Sequence, residues 1–450
     1  MKRKIYNDLL EWKKRSNGKT AILIDGARRI GKSYIAEEFA KENYETYILI
    51  DFSKVPQAIK DLFENYLDNL DYLFTYLSQY FGKKLYERNT LFIFDEVQFC
   101  PRARSAIKHL VADGRYDYIE TGSLISIKKN VKDILIPSEE HILKMKPMDF
   151  EEFMWAMGNS TMMDFIKKCY ETREPLGQAL HRKAMDYFKE YLIVGGMPQA
   201  VEIYSQTRDF EMVDEIKRDI LTLYRQDIRK YGEEVALKAE KIFDEIPSQL
   251  QKHEKKFNLA SVDVNARYRE YYGAFYWLDD AGLINIAYNT TEPNIGLNLN
   301  KDSNSFKCYM FDTGLLLSMA FDEKGIVSEE IYKKILFDKL TFNEGMMIEN
   351  IVAQMLVNAK RKLYFFSRTD RDNSEDTMEI DFLIAKSKIT SKHNITPIEV
   401  KSGKNYTFSS LKKFKNKYKE YLTYSIIIHQ EDLKEENGIL YMPIYMTELL

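Results

Sequence analysis

A short stretch near the start of the chain limits its fold more than any other feature. The apolar segment TAILIDG leads into GARRIGKS, which fits the pattern G-x-x-x-x-G-K-S/T, and the helical segment SYIAEEFAKE follows. A glycine-rich turn between a buried strand and a helix N-terminus lets backbone N–H groups surround phosphates. The sequence therefore predicts a phosphate-binding loop of an ATP-binding α/β domain.

The side chains of this loop have distinct predicted roles. The glycines allow the backbone to wrap around the phosphates, and Lys32 reaches the β- and γ-phosphates, which also makes it a catalytic candidate. Ser33 offers a hydroxyl to Mg²⁺. The predicted nucleotide-binding set is Gly26, Arg29, Gly31, Lys32, Ser33 and Tyr34.

A second apolar strand, LFIFDE, ends in two carboxylates. Asp95 closes a buried strand, where an ionised group needs a role, and we expect it to hold Mg²⁺ together with Ser33. Glu96 is predicted to polarise the attacking water. The next strand ends in YIETGS, where Thr121 or Ser123 would contact the γ-phosphate or position the water; a polar turn without such a role explains these residues equally well.

The first part of the chain alternates apolar strands with helical segments. Near-continuous apolar strands separated by helices indicate a parallel sheet that is covered on both faces. The middle of the chain is helical and then carries two short strands, NIAYNT and FKCYMFD, an order typical of a winged-helix module. The last part returns to mixed α/β structure. The candidate strands of the first sheet are residues 20–26, 46–52, 90–96, 116–122 and 141–148.

The segment TPIEVKSGK carries a second candidate site. Glu399 and Lys401 share one face of a predicted strand. Asp381 lies on the preceding strand, MEIDFLIA, and Glu349 on the helix NEGMMIENIVAQML. Asp381 and Glu399, with the Val400 carbonyl, suit Mg²⁺, and Lys401 would orient or deprotonate the water. Glu349 would bind the metal through water. The alternative is a surface salt bridge, which stabilises little.

Taken together, these motifs resemble a known family. The phosphate loop, the DE and TGS strands, and then PMDFEEF and GGMP are similar to bacterial and archaeal AAA-superfamily ATP-binding proteins. Members of that family carry a C-terminal domain of unknown function related to PD-(D/E)XK nucleases, and the carboxylates of the last segment resemble that nuclease pattern. The resemblance covers almost the whole chain.

The resemblance and the residue patterns together predict a domain order. A P-loop NTPase parallel sheet comes first, with five strands and the phosphate-loop strand at its centre. A helical and winged-helix middle region follows, and then a restriction-endonuclease-like α/β domain. The predicted domains are the AAA-type ATPase at 1–155, the helical lid at 156–232, the winged-helix-like module at 233–330 and the nuclease-like domain at 331–450.

One segment departs from the family pattern. Members commonly carry a Gly-Arg pair between the TGS strand and PMDFEEF, whereas ILIPSEEHILKMKP contains no arginine. An arginine finger therefore has no assigned position, and Arg102, Arg104 and Arg115 are candidates without geometric support. Because such an arginine raises phosphoryl-transfer rates by orders of magnitude, we expect slow or partner-dependent turnover.

The segment SSLKKFKNKYKEYL follows the second candidate site. Five lysines surround an apolar stripe at helical spacing. Beside the candidate site they suggest contact with a nucleic-acid backbone, whereas taken alone they favour a solvated helix face. The aromatic stretch NARYREYYGAFYWLDDAGLI in the middle region favours packing over DNA contact. The lysines are Lys412, Lys413, Lys415, Lys417 and Lys419.

Composition sets outer limits. The formal net charge is −3, so any nucleic-acid surface must be local. No apolar run approaches the ~20 residues that span a bilayer, the N-terminus has no signal-peptide pattern, and the three cysteines are scattered. We therefore expect a cytoplasmic protein.

The functional hypothesis is an ATPase switch. Binding and hydrolysis of Mg-ATP would control a nuclease-like domain that acts on nucleic acid, with DNA favoured, and would use a second divalent metal. One alternative is an ATP-sensing regulatory protein whose nuclease-like fold is catalytically silent. Another is a partner-loading ATPase that acts on a protein.

Overall fold

The computed structural model divides the chain into two compact units. The first is Met1–Lys146 with Asp280–Gly282, and the second is Pro147–Asp279 with Leu283–Leu450. The four-domain division stays a prediction; the lid, winged-helix and nuclease-like ranges fall in the second unit, apart from Asp280–Gly282. The structure describes residues 1–122, 138–230, 233–252, 256–321, 330, 332, 334, 344–370, 372–386, 392–403 and 406–450.

The first unit is built on a five-stranded sheet in which every pair of neighbours is parallel, which confirms the predicted α/β class. The strand order is β2-β3-β4-β1-β5, so β4, and not the phosphate-loop strand β1, is central. Apolar patterns mark strands but do not encode the order in which crossovers place them. The strands are β1 Ala21–Asp25, β2 Thr46–Asp51, β3 Thr90–Asp95, β4 Asp117–Gly122 and β5 Glu140–Lys144.

Helices cover this sheet because their apolar faces match its apolar strands. Phe52, Phe63 and Phe94 meet edge to face at centroid distances of 5.4 to 5.7 Å, a geometry that aromatic rings favour. Every residue of β3 is buried. The helices are α1 Ile5–Ser16, α2 Lys32–Asn43, α3 Gln57–Asn65, α4 Leu70–Phe81 and α5 Pro101–Asp113.

The second unit joins helices to a larger sheet. Its first helix begins at a capping box, in which the Asp149 carboxylate accepts from the Glu152 N–H and the Glu152 carboxylate accepts from the Asp149 N–H. The helices are α6 Phe150–Ala156, α7 Ser160–Thr172, α8 Gln178–Val194, α9 Pro198–Thr207, α10 Phe210–Arg229, α11 Glu233–Gln251, α12 Tyr268–Asp280, α13 Thr313–Ala320, α14 Glu344–Asn358 and α15 Ser409–Tyr418.

The motifs PMDFEEF and GGMP pack against each other. The Met148 N–H donates to the Gly196 carbonyl at 2.7 Å, and a Cβ at Gly196 would lie 2.1 Å from the Met148 carbonyl oxygen. The Gly196 N–H donates to Asp312 at 2.6 Å. Only glycine fits this crossing, which explains the GG pair in physical terms.

A buried lysine lies beside this crossing. Lys217 on α10 donates to the carbonyls of Ile193 at 2.9 Å and Gly314 at 3.3 Å. Burial lowers its pKa to about 8, against the opposing charges of Asp214 and Asp312. The ammonium therefore ties α8, α10 and α13 together through backbone oxygens.

The second sheet has eight strands in the order β12-β13-β11-β10-β9-β8-β6-β7. The β6–β7 hairpin, predicted as part of a winged helix, also pairs with β8 in parallel at Tyr288↔Tyr364. One sheet therefore runs through the predicted winged-helix and nuclease-like ranges. The strands are β6 Ile284–Thr290, β7 Lys301–Met310, β8 Tyr364–Arg368, β9 Met378–Ala385, β10 Ile395–Val400, β11 Ser425–His429, β12 Lys434–Glu436 and β13 Ile439–Pro443.

Candidate functional site

The predicted phosphate loop lies between the end of β1 and the start of α2. Its backbone takes left-handed φ values at Gly26 (151°), Arg29 (67°) and Gly31 (91°). A Cβ at Gly26 would lie 2.3 Å from the Met145 carbonyl oxygen, so a side chain there would collide with backbone. The loop therefore has the curved backbone that the motif predicts.

The loop lysine points back into the loop. Lys32 Nζ donates to the carbonyl oxygens of Gly26 at 3.0 Å and Ala27 at 2.9 Å. Burial lowers the pKa of Lys32, while the carboxylates of Glu96 and Asp95 oppose that shift. A buried ammonium in a curved loop is suited to meeting an anion.

Three of the predicted site residues converge on one oxygen atom. Ser33 Oγ donates to Asp95 Oδ1 at 2.6 Å, and the Thr121 hydroxyl donates to the same oxygen. These residues come from α2, β3 and β4, whose strands are neighbours in the sheet. The carboxyl ends of parallel strands are where α/β folds collect ligand-binding groups.

The remaining predicted residues lie around this centre. Glu96 has a φ of 53° and its carboxylate accepts from the Gln98 amide, while the Glu96 N–H donates to Thr121 Oγ1 at 3.4 Å. Tyr34 is 49% exposed, and its hydroxyl accepts from the Met1 amino group at 2.9 Å. Arg29 is exposed. Ser123 lies outside the described residues.

The sequence did not identify Arg3, whose side chain holds the phosphate loop through hydrogen bonds. The buried Arg3 side chain donates to the carbonyl of Ile30 at 2.8 Å and to that of Lys146 at 2.6 Å. It thus links the N-terminal segment to the loop and to the segment that follows β5. Arg3 belongs to the charged run MKRK, so no pattern distinguishes it from its solvated neighbours.

The three arginine-finger candidates all pair with carboxylates. Arg102 contacts Glu64 at 2.9 Å, and Arg115 contacts Asp71 at 2.6 Å and Asp113 at 2.8 Å. Arg104 is buried against Glu140. These contacts give none of the three a role at the phosphate loop.

A buried charge cluster brings together Arg104 of α5, Glu120 of β4 and Glu140 of β5 in the first unit. Arg104 donates to both carboxylate oxygens of Glu140, at 3.0 and 3.2 Å. Glu120 on β4 is fully buried, and both of its oxygens lie without a hydrogen-bond donor among the described residues. Burial, followed by the Glu140 carboxylate, raises the pKa of Glu120 well above its usual value. Burial therefore favours the protonated, uncharged form of Glu120 in the folded protein.

The second candidate site brings its predicted carboxylates together with an extra lysine. Glu349 lies on α14, Asp381 on β9 and Glu399 on β10. Between them lies Lys307 of β7, whose Nζ is 3.2 Å from Glu349 and 3.9 Å from Asp381. The same atom is 3.0 Å from Glu379. The Lys307 side chain is 1% exposed.

Hydrogen bonds hold the rest of this cluster. The Val400 N–H donates to Asp381 at 2.8 Å, and Lys401 Nζ donates to Glu399 Oε2 at 2.6 Å. Burial, followed by the charge of Glu349, raises the pKa of Asp381 to about 7. Burial also raises the pKa of Glu399.

Sequence reasoning overlooked Lys307. Its signal was a lysine inside the apolar strand FKCYMFD, between the buried residues Phe306 and Cys308. In the part of the chain that the structure describes, no group of three or more His, Cys, Asp or Glu side chains is arranged to hold a metal ion. The predicted second metal site finds no support there.

The lysine-rich segment forms α15. Leu411, Phe414 and Tyr418 are buried, as the predicted apolar stripe requires. Lys417 pairs with Asp376, and Lys412 is exposed. In the described ranges, no helix combines the length and hydropathy of a membrane-crossing segment.

Comparisons with family models divide the chain in three. Residues 18–154 match an AAA domain. Residues 185–325 match a domain of unknown function, DUF8612, and residues 344–446 match another domain of unknown function, DUF4143. The loop, the parallel sheet and the AAA match support a P-loop fold of the AAA class for residues 18–154. No curated protein matches the chain.

Solved structures resemble the chain only distantly. The Orc1 protein of Aeropyrum pernix in complex with DNA is 13% identical, with a TM-score of 0.28, covering 72% of this chain and 93% of its own. The Drosophila ORC bound to DNA is 12% identical, with a TM-score of 0.27 and coverages of 74% and 94%.

A third structure is a signal transduction ATPase with numerous domains and a tetratricopeptide repeat sensor, from Pyrococcus horikoshii. It is 10% identical, with a TM-score of 0.27, and the match covers 80% of this chain but 49% of that one. Similarities of this size are too low to indicate a shared function.

Proposed function

We propose that the first unit binds ATP with Mg²⁺ and hydrolyses it. The observation that supports this most directly is the meeting of Ser33, Asp95 and Thr121 at one carboxylate oxygen beside the phosphate loop. Hydroxyl and carboxylate oxygens are the hard ligands that Mg²⁺ prefers. The donor set of this chain therefore suits the metal that accompanies ATP.

Each residue has a role in this proposal. Ser33 and Asp95 would hold Mg²⁺, which neutralises phosphate charge when bound. Lys32 exchanges its two carbonyl acceptors for phosphate oxygens. Glu96 polarises the attacking water, and Thr121 holds Asp95 in place through its hydroxyl. Gly26 and Gly31, with Arg29 and Tyr34, line the nucleotide.

The test compares binding of a fluorescent ATP analogue with phosphate release. We expect Lys32→Ala to lose both. Glu96→Gln should retain binding while hydrolysis falls by roughly 10²-fold or more, the size of a lost general base. The matched control is Lys41→Ala, at the far end of the same helix, whose side chain pairs with Glu37 and Glu38 at the surface. Binding by Lys32→Ala equal to that of wild type would refute the proposal.

The second unit is proposed to receive the ATP signal and to contact nucleic acid. Support comes from the lysines of α15 and of the turn after it, of which Lys412 on the helix and Lys419 after it are exposed. Backbone contacts of this kind weaken steeply with salt. We expect Lys412→Glu/Lys419→Glu to reduce DNA affinity and to flatten its salt dependence. DNA binding unaffected by both changes would favour a protein target.

A further inference from the structure

We propose that the Lys307 ammonium is the resident cation of the C-terminal carboxylate cluster, in the place where the sequence predicts a divalent metal. The predicted metal ligands Asp381 and Glu399 therefore bind no divalent metal in this protein. The inference concerns the second unit only, and it is independent of the ATP site.

Geometry is the first support. Lys307 Nζ lies 3.2 Å from Glu349, 3.0 Å from Glu379 and 3.9 Å from Asp381. A bound Mg²⁺ needs oxygen atoms at about 2.0–2.1 Å around it. The ammonium already lies beside Asp381 and Glu349, two carboxylates of the predicted site, and a divalent cation placed there would be repelled by it.

Burial is the second support, because it keeps the ammonium in place. The Lys307 side chain is 1% exposed and lies 5.0 Å from the centre of the Phe365 ring. Its neighbours on β7, Phe306 and Cys308, are buried as well. An ammonium that left these carboxylates inside the protein would be an unpaired buried charge, which is strongly unfavourable.

The ligand oxygens themselves are the third support. Lys401 Nζ donates a hydrogen bond to Glu399 Oε2 at 2.6 Å, and the Val400 N–H donates one to Asp381 Oδ2 at 2.8 Å. Glu399 Oε1 is buried and has no hydrogen-bond partner among the described residues. One such oxygen does not by itself make a metal site, because Mg²⁺ requires near-octahedral coordination.

The consequence is a cluster that keeps nuclease-type residues without the cation that activates water in metal-dependent hydrolysis. This supports the silent-module alternative for the second unit. Lys401 serves here as a partner of Glu399, and Glu349 as a partner of Lys307 and of the Tyr309 hydroxyl, which donates to it at 2.5 Å.

The test measures Mn²⁺ binding to the nucleotide-free full chain by the electron paramagnetic resonance signal of free Mn²⁺. Four proteins are compared: wild type, Asp381→Asn, Lys307→Met and Lys307→Met/Asp381→Asn. We expect wild type and Asp381→Asn to bind Mn²⁺ identically. Lys307→Met should gain a site at least tenfold tighter than any in wild type, and the double variant should lose it again.

Two results would overturn the inference. One is Mn²⁺ binding by wild type that Asp381→Asn removes, and this comparison holds even where Lys307→Met fails to fold. The other is a folded Lys307→Met, verified by circular dichroism, that gains no site. Since no nucleotide is present, neither result depends on whether the first unit hydrolyses ATP.

Discussion

Replacing Glu120 by glutamine should stabilise the first unit, increasingly so as the pH rises. Glu120 is fully buried beside Glu140, and its pKa is raised well above the ordinary value of 4.5. The folded protein therefore keeps a proton on Glu120 at pH values where the unfolded chain has released it. Glutamine has nearly the same shape and carries no charge, so it does not bear the desolvation cost of a buried carboxylate.

The magnitude follows from proton linkage. Between pH 4.5 and the raised pKa, the folded state of wild type binds up to one proton more than the unfolded state. The free energy of unfolding of wild type then falls with rising pH, by up to about 1.4 kcal/mol per pH unit for a single proton. The glutamine side chain does not titrate. The free energy of unfolding of Glu120→Gln therefore exceeds that of wild type by a margin that grows by up to this amount per pH unit, until the pH reaches the raised pKa.

The assay is urea unfolding of wild type and Glu120→Gln at a series of pH values from weakly acid to weakly alkaline. The control is Glu11→Gln, a surface change in α1 whose side chain is 65% exposed, which should stay within about 0.5 kcal/mol of wild type. A stability difference between Glu120→Gln and wild type that does not change with pH would show that Glu120 is ionised in the folded state and would refute its raised pKa.

Two further predictions concern the second unit. Gly196→Ala would place a Cβ 2.1 Å from the Met148 carbonyl oxygen. We therefore expect the free energy of unfolding, measured in urea, to fall by more than about 2 kcal/mol. An unchanged urea midpoint would refute the close approach of the two backbones. The pKa of Lys217 is lowered from 10.5 to about 8, so between these pH values the unfolded state binds more protons than the folded state. The free energy of unfolding of wild type should therefore rise with pH by up to about 1.4 kcal/mol per pH unit relative to that of Lys217→Met. Parallel plots of unfolding free energy against pH for the two proteins would contradict this.

Local patterns predicted the elements of this protein better than their arrangement. The strand before the phosphate loop and the strand ending in Asp95 are where the sequence predicts them, because a continuous apolar run between a glycine turn and a helix has few other solutions. The order of the strands in the sheet could not be predicted from local patterns, because it depends on the crossover connections. The prediction that β1 is the central strand was therefore wrong, since β4 lies at the centre of the first sheet.

The candidate sites show the same division. Ser33, Asp95 and Thr121 meet because the loop motif and two strand ends specify the carboxyl edge of one sheet. Lys307 escaped prediction because its partners Glu349 and Asp381 lie far along the chain. Side-chain pairing across a sheet leaves no periodic trace in a single sequence.

The second sheet makes two separately matched segments of the chain depend on each other. Lys307 lies in the segment that matches DUF8612, while Glu349, Asp381 and Glu399 lie in the segment that matches DUF4143. A gene cut between the two matches would separate the ammonium from these three carboxylates and would leave β8 without its partner β6. Recombination should therefore transmit the two segments together, and a change at position 307 should select for compensating changes among these acids.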